Sequence, residues 1–138
     1  MSAWLDEQRV RAAANNDGEF LLQARLWNAT VALTQGADTI LLTVAQGRIA
    51  TASSSSAATP DSAAQNLVGA PPDVHISAPP ADWDELLRPI PRPFYQDVRA
   101  AAVHHGFLVA GELAHTAAYY PAIRRLIELL REVRNGTL

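Results

Sequence analysis

Asp73, His75 and Ser77 alternate along the run Asp73-Val74-His75-Ile76-Ser77 and so bring together the three residue types of a hydrolytic relay. Their spacing works against that chemistry: same-side residues on a strand stand about 7 Å apart, too far for a serine–histidine–carboxylate relay in a row. No Gly-x-Ser-x-Gly elbow occurs either. A strand face in solvent or at a pocket edge is the plainer account. Two other carboxylates are placed for acid–base work: Asp97, three residues after Phe94 in an Ala-rich stretch, and Glu112, in the apolar run that begins at Phe107. A carboxyl inside an apolar cavity has a raised pKa and can act as general acid or base. Ion pairing with one of the 11 arginines is the competing expectation. His104-His105 invites a metal reading, but neighbours on a helix diverge by about 100° and cannot share one ion. They are expected instead at a helix C-terminus before Gly106, where positive charge is favoured. Glu112 and His115 would meet only if the chain turned between them. No metal site is expected, and the isolated glycines form no phosphate loop, so no cofactor is expected.

The aromatic residues are the stronger signal. Six of them, Trp83, Phe94, Tyr95, Phe107, Tyr119 and Tyr120, fall in the C-terminal part of the chain, and Trp4, Phe20 and Trp27 precede them. Clustered aromatics with polar tips suit a pocket for a ring-containing apolar ligand, and they equally suit a small core. The expected ligand-lining set is Trp27, Trp83, Leu87, Phe94, Tyr95, Phe107, Tyr119, Tyr120 and Ile123.

Composition narrows the functions further. A chain of 138 residues makes one domain, residues 1–138, able to bury about two thirds of its surface. Its 11 basic residues are all Arg, against 14 acids, for a net charge of −3. That balance lacks the electrostatic footprint of nucleic-acid binding. The absence of Cys excludes thiolate metal sites, disulfides and thiol nucleophiles. No apolar run approaches the ~20 residues of a membrane helix, and Met1 to Glu7 has no signal-peptide character, so a cytoplasmic protein is expected.

The elements that must position these residues read as follows. Residues 3–14 suit a helix with Ser2 as its cap and Asp6 and Glu7 at its positive end. Glu19 to Thr34 shows period two, with Trp27, Ala29, Val31 and Leu33 on one face, and predicts a long strand or two joined by a bulge. Thr39 to Ala45 and Arg48 to Ser53 follow as strands joined by short turns, giving an antiparallel meander. Residues 51–72, with a serine run and three prolines, read as a flexible loop carrying a short helix capped by Asp61, either plain surface or a lid. Asp73 to Ser77 predicts a fourth strand, and Pro79-Pro80 opens a helix ending at Pro89. Phe94, Val98, Ala101 and His105 share one face of a further helix. Phe107 to Ala114 predicts a fifth strand. Ile123, Leu126, Ile127, Leu130 and Val133 form the stripe of a terminal helix that starts at Pro121, pairs Arg124 with Glu128 and is capped by Asn135-Gly136. The sum is an α+β domain, one mostly antiparallel five-stranded sheet with helices packed on one face.

The order of elements, and three features of the last third, resemble the sterol carrier protein type two superfamily of lipid-binding domains. These are the strand Asp73-Val74-His75-Ile76 followed by an acidic helix bearing Trp83, Leu86 and Leu87; the strand Phe107-Leu108-Val109-Ala110-Gly111-Glu112 with its Gly-acid step; and the stripe from Tyr119 to Leu130. The resemblance implies an apolar tunnel between the sheet and the later helices that carries a lipid, sterol or terpenoid-like molecule. The alternatives are a cofactor-independent enzyme working on such a ligand (isomerase, cyclase, dehydratase or epoxide hydrolase), with Asp97 or Glu112 in the cavity, and an accessory subunit of a lipid-metabolising enzyme. A hydrophobic small molecule is the expected partner, and a second copy or a larger enzyme stays open as a protein partner.

Overall fold

The computed structural model describes residues 4–56 and 71–136. Asp6 caps helix α1 (Glu7–Asn15) by accepting from the Arg9 backbone N–H, and Asp17 caps α2 (Gly18–Gln23) by accepting from that of Phe20. The meander follows as β1 (Ala29–Gln35), β2 (Asp38–Ala45) and β3 (Arg48–Ser56). Then come β4 (Val74–Ala78), α3 (Pro80–Leu86), α4 (Val98–His104), β5 (Leu108–Gly111), α5 (Leu113–Thr116) and α6 (Tyr120–Arg134).

The strands form one five-stranded sheet in the order β3-β2-β1-β4-β5. Only β1 and β4 run parallel; the other neighbours are antiparallel. Register puts Val31 beside Leu42 and Val74, and Leu33 beside Ile40 and Ile76, so one face is a continuous apolar surface. The core forms there, joining these residues to Val10, Phe20, Trp83, Leu86, Val98 and the α6 stripe of Ile123, Leu126, Ile127, Leu130 and Val133. Period two in the strands and 3.6 in α6 produce matching apolar faces, whose burial is the main driving force of the fold. Ala32, on the opposite face of β1, is fully buried yet lies outside that core cluster.

Several expectations are corrected. The strand expected from Glu19 is helical through Gln23, because the Asp17 cap and the burial of Phe20 and Ala24 four residues apart favour a helix. The fifth strand stops at Gly111, whose φ of +136° is open to glycine and whose missing Cβ leaves room for the Asp73 carbonyl. The helix expected from Phe94 begins at Val98, since Asp97 caps it and Phe94 itself has a φ of +67°. The third strand, expected to end at Ser53, runs on to Ser56, so that residues 54–56 of the expected loop complete β3; the short helix and its Asp61 cap lie outside the described residues, as does Ser2. Glu128 pairs with Arg125 at 3.0 Å rather than with Arg124.

Candidate ligand-binding site

The aromatic and aliphatic residues of the expected ligand-lining set separate into three groups. Trp83, Leu87, Phe107 and Ile123 stand within the core between sheet and helices. Trp83 is fully buried, donates its indole N–H to the Thr34 carbonyl at 2.8 Å, and meets Phe107 edge-on with ring centroids 4.9 Å apart. Proline at the start of α3 and Trp83 one turn in fix the position of this indole.

Trp27 and Tyr119 form the second group, at the end of the sheet where β1 begins. Their rings stack with centroids 5.0 Å apart and 11° between planes. The Trp27 indole N–H donates to His115 Nδ1 at 3.0 Å, and His115 Nε2 lies 3.7 Å from the Asp73 carboxylate. Asp73 accepts in turn from the Thr30 backbone N–H at 2.9 Å.

The third group surrounds α4. Phe94 stacks on His104 and Tyr95 on His105, with centroids 3.9 and 3.8 Å apart. The buried Tyr95 hydroxyl donates to Asp82 at 2.7 Å, and that bond, reinforced by burial, pushes its pKa up to about 12. Tyr120 donates to Asp97 at 3.1 Å beneath the Arg99 guanidinium, which lies 4.1 Å from the ring centre. Burial, followed by the charge of Asp97, raises the Tyr120 pKa. Between them is an open depression of about 400 Å³ lined by Asp97, Arg99, Ala100, Val103, His104 and Tyr120. Ala100 contributes only a methyl group to this lining, while Ala101 turns into the core. Val103 in that lining is 74% exposed, and Phe94, stacked on the lining residue His104, is 49% exposed. The neighbours Tyr119 and Tyr120 thus serve different groups, one on each side of the α6 N-terminus.

The carboxylates considered for acid–base work have other partners or positions. Asp97 caps α4 through the Ala100 N–H at 2.8 Å as well as binding Tyr120, and Glu112 is exposed at the start of α5. Asp73 and His75 are not joined: His75 Nε2 meets Thr34 Oγ1 at 2.8 Å, and Thr34 meets Thr39 Oγ1 at 3.0 Å. This polar network on the sheet face opposite the helices was missed in the sequence, where the alternation of His75 was visible but its cross-strand partner was not. Burial lowers the His75 pKa. Among the described residues no group of three His, Asp or Glu is arranged to hold a metal ion, and no helix is long and apolar enough to cross a membrane.

No protein-family model matches the sequence, and no curated protein sequence does. Solved structures do match. A crystal structure of sterol carrier protein 2 superposes with a TM-score of 0.70 at 21% identity, covering 96% of this chain and 97% of that one. A conserved hypothetical protein of Thermus thermophilus, described as possibly a sterol carrier protein, gives 0.67 at 21% identity over 96% of this chain and 87% of its own. A structure titled UbiJ-SCP2 ubiquinone synthesis protein gives 0.53 at 12% identity over 88% of this chain and 87% of that one. Over nearly its whole length, the chain has the fold of sterol carrier protein 2.

Proposed function

We propose that the protein binds a hydrophobic small molecule, a lipid, sterol or terpenoid-like compound, between the sheet and the helices that follow β4. The lining residues in this reading are Phe94, Tyr95 and Tyr120 around α4, Trp83, Leu87, Phe107 and Ile123 from the core, and Trp27 and Tyr119 where β1 begins. The observation that carries the reading is Phe94: a bulky side chain in the left-handed backbone region, half-exposed, stacked on His104, which lines the depression. A non-glycine residue in that region costs about 1–2 kcal/mol, and such strain concentrates at ligand sites. The fold shared with sterol carrier proteins supports the same class of ligand.

Desolvation supplies the affinity. Burying about 300 Å² of apolar ligand surface would yield roughly 7 kcal/mol before the costs of immobilisation. Titration of the purified protein with a fluorescent fatty acid and a fluorescent sterol tests the reading. Saturable binding in the micromolar range, weakened severalfold in Phe94→Gly, is expected. A wild-type protein that binds neither probe would refute it.

A further inference from the structure

The chain has three tryptophans, and two of them have acceptors for the indole N–H: Trp27 donates to His115 Nδ1 at 3.0 Å and Trp83 to the Thr34 carbonyl at 2.8 Å. Trp4 has none. Its ring tilts against that of Trp83 with centroids 4.7 Å apart, and Trp83 in turn meets Phe107 edge-on, so the three rings pack in series. Leu5, only 3% exposed, anchors the segment in the core. The Trp4 side chain is half-buried, yet its Nε1 is shut off from solvent and meets no acceptor. Among the described residues it is the only buried side-chain nitrogen or oxygen in that state. A donor buried in this way gives up its bond to water and receives nothing in exchange, and native structures tolerate few of them. A phenylalanine at position 4 could pack on Trp83 without burying a donor, so packing alone does not account for the indole.

We propose that Trp4 Nε1 is a polar contact of the ligand-binding site, donating to a carbonyl oxygen of an otherwise apolar ligand that lies against Trp83 and Phe107. An indole N–H only donates, so the group it meets must accept. The charged residues nearest in sequence to the two tryptophans are acids, Asp6 and Glu7 after Trp4 and Asp82 and Asp84 on either side of Trp83. Their charge favours an uncharged ketone or ester oxygen over an anionic head. One such bond within apolar surroundings fixes the orientation of a ligand whose affinity comes from desolvation. The inference rests on the proposed function and adds the requirement of a neutral acceptor on the ligand.

Displacement of a bound fluorescent sterol by a long-chain methyl ketone, and by the alkane of equal length, tests it on the full chain and on Trp4→Phe. The preference for ketone over alkane is expected to fall about fivefold in Trp4→Phe. In the wild type, the Trp4 indole N–H proton resonance is expected to move downfield on addition of the ketone, as a newly hydrogen-bonded proton does, and to stay nearly in place with the alkane. This second readout does not depend on the variant's folding. A ketone preference unchanged by Trp4→Phe, or a Trp4 indole resonance that responds alike to both compounds, overturns the proposal and leaves the binding of apolar molecules standing. A wild type that takes up neither compound also overturns it, and failure of the fluorescent probes themselves to bind overturns the proposed function as well.

Discussion

The indole N–H of Trp27 donates to Nδ1 of His115 across 3.0 Å, tying the start of β1 to the short helix α5. No residue of α5 is buried in the core, so this bond, with the nearby Asp73 carboxylate, is its principal side-chain attachment. His115→Ala should leave the buried indole N–H without an acceptor and lower the unfolding free energy by about 1–3 kcal/mol. Urea denaturation measures the loss. Trp27→Phe in the same background should recover part of it, because both partners are then absent. A loss in His115→Ala below a few tenths of a kcal/mol would show that the bond contributes nothing.

The His75 ring is held below its ordinary pKa of 6.5 by burial. The unfolded chain therefore binds more protons than the folded one between the depressed value and 6.5, and stability rises with pH across that window. On acidification from about pH 7, the wild type should lose stability as the pH passes below 6.5, and His75→Gln should lack this increment. Parallel slopes for the two proteins would show that His75 is not the group responsible.

Asp17 is held below the ordinary carboxyl value of 3.8 chiefly by its hydrogen bond from Arg125, which donates to its two oxygens at 2.7 and 2.9 Å. Its contribution is fully present above 3.8 and is lost as pH falls through the depressed folded value. Asp17→Ala removes this pair and the α2 cap together, at a cost of about 2 kcal/mol near neutral pH. The gap between wild type and variant, followed by thermal unfolding, should narrow below about pH 4 and should not widen.

At Phe94 the usual order of alanine and glycine should reverse. Glycine normally destabilises relative to alanine through chain entropy, but alanine retains the left-handed strain that glycine escapes. Phe94→Gly should therefore be more stable than Phe94→Ala by roughly 1 kcal/mol, while both bind the apolar probe less tightly than wild type. Equal or greater stability of Phe94→Ala would mean the backbone there is not strained.

Much of the architecture was legible in local pattern. The α6 stripe, the three-stranded meander and the Pro-initiated α3 each follow from a periodicity plus a stop signal, and they fix the fold class. The errors lie where pattern is short. In the segment from Gly18 to Gln23, an apolar run compatible with strand or helix was decided by the Asp17 cap and by tertiary burial of Phe20. Phe94 fitted the α4 face by spacing, yet its backbone turns before the helix begins. Expected site residues were found by type alone, so their division among three groups depended on long-range pairing. Trp27 meets a histidine 88 positions away, and Tyr119 and Tyr120 diverge across one helix start. The left-handed backbone at Leu26, with a φ of +69°, carried no sequence signal, because such a conformation at a leucine is not encoded by local propensity.

Native mass spectrometry of the protein as purified, with organic extraction of whatever it carries, tests the binding of an apolar molecule most directly. The account predicts a protein mass accompanied by one lipid-sized apolar molecule per chain, or stoichiometric uptake of a fatty acid or sterol when these are supplied. Protein that arrives empty and stays empty under saturating fatty acid and sterol would contradict it.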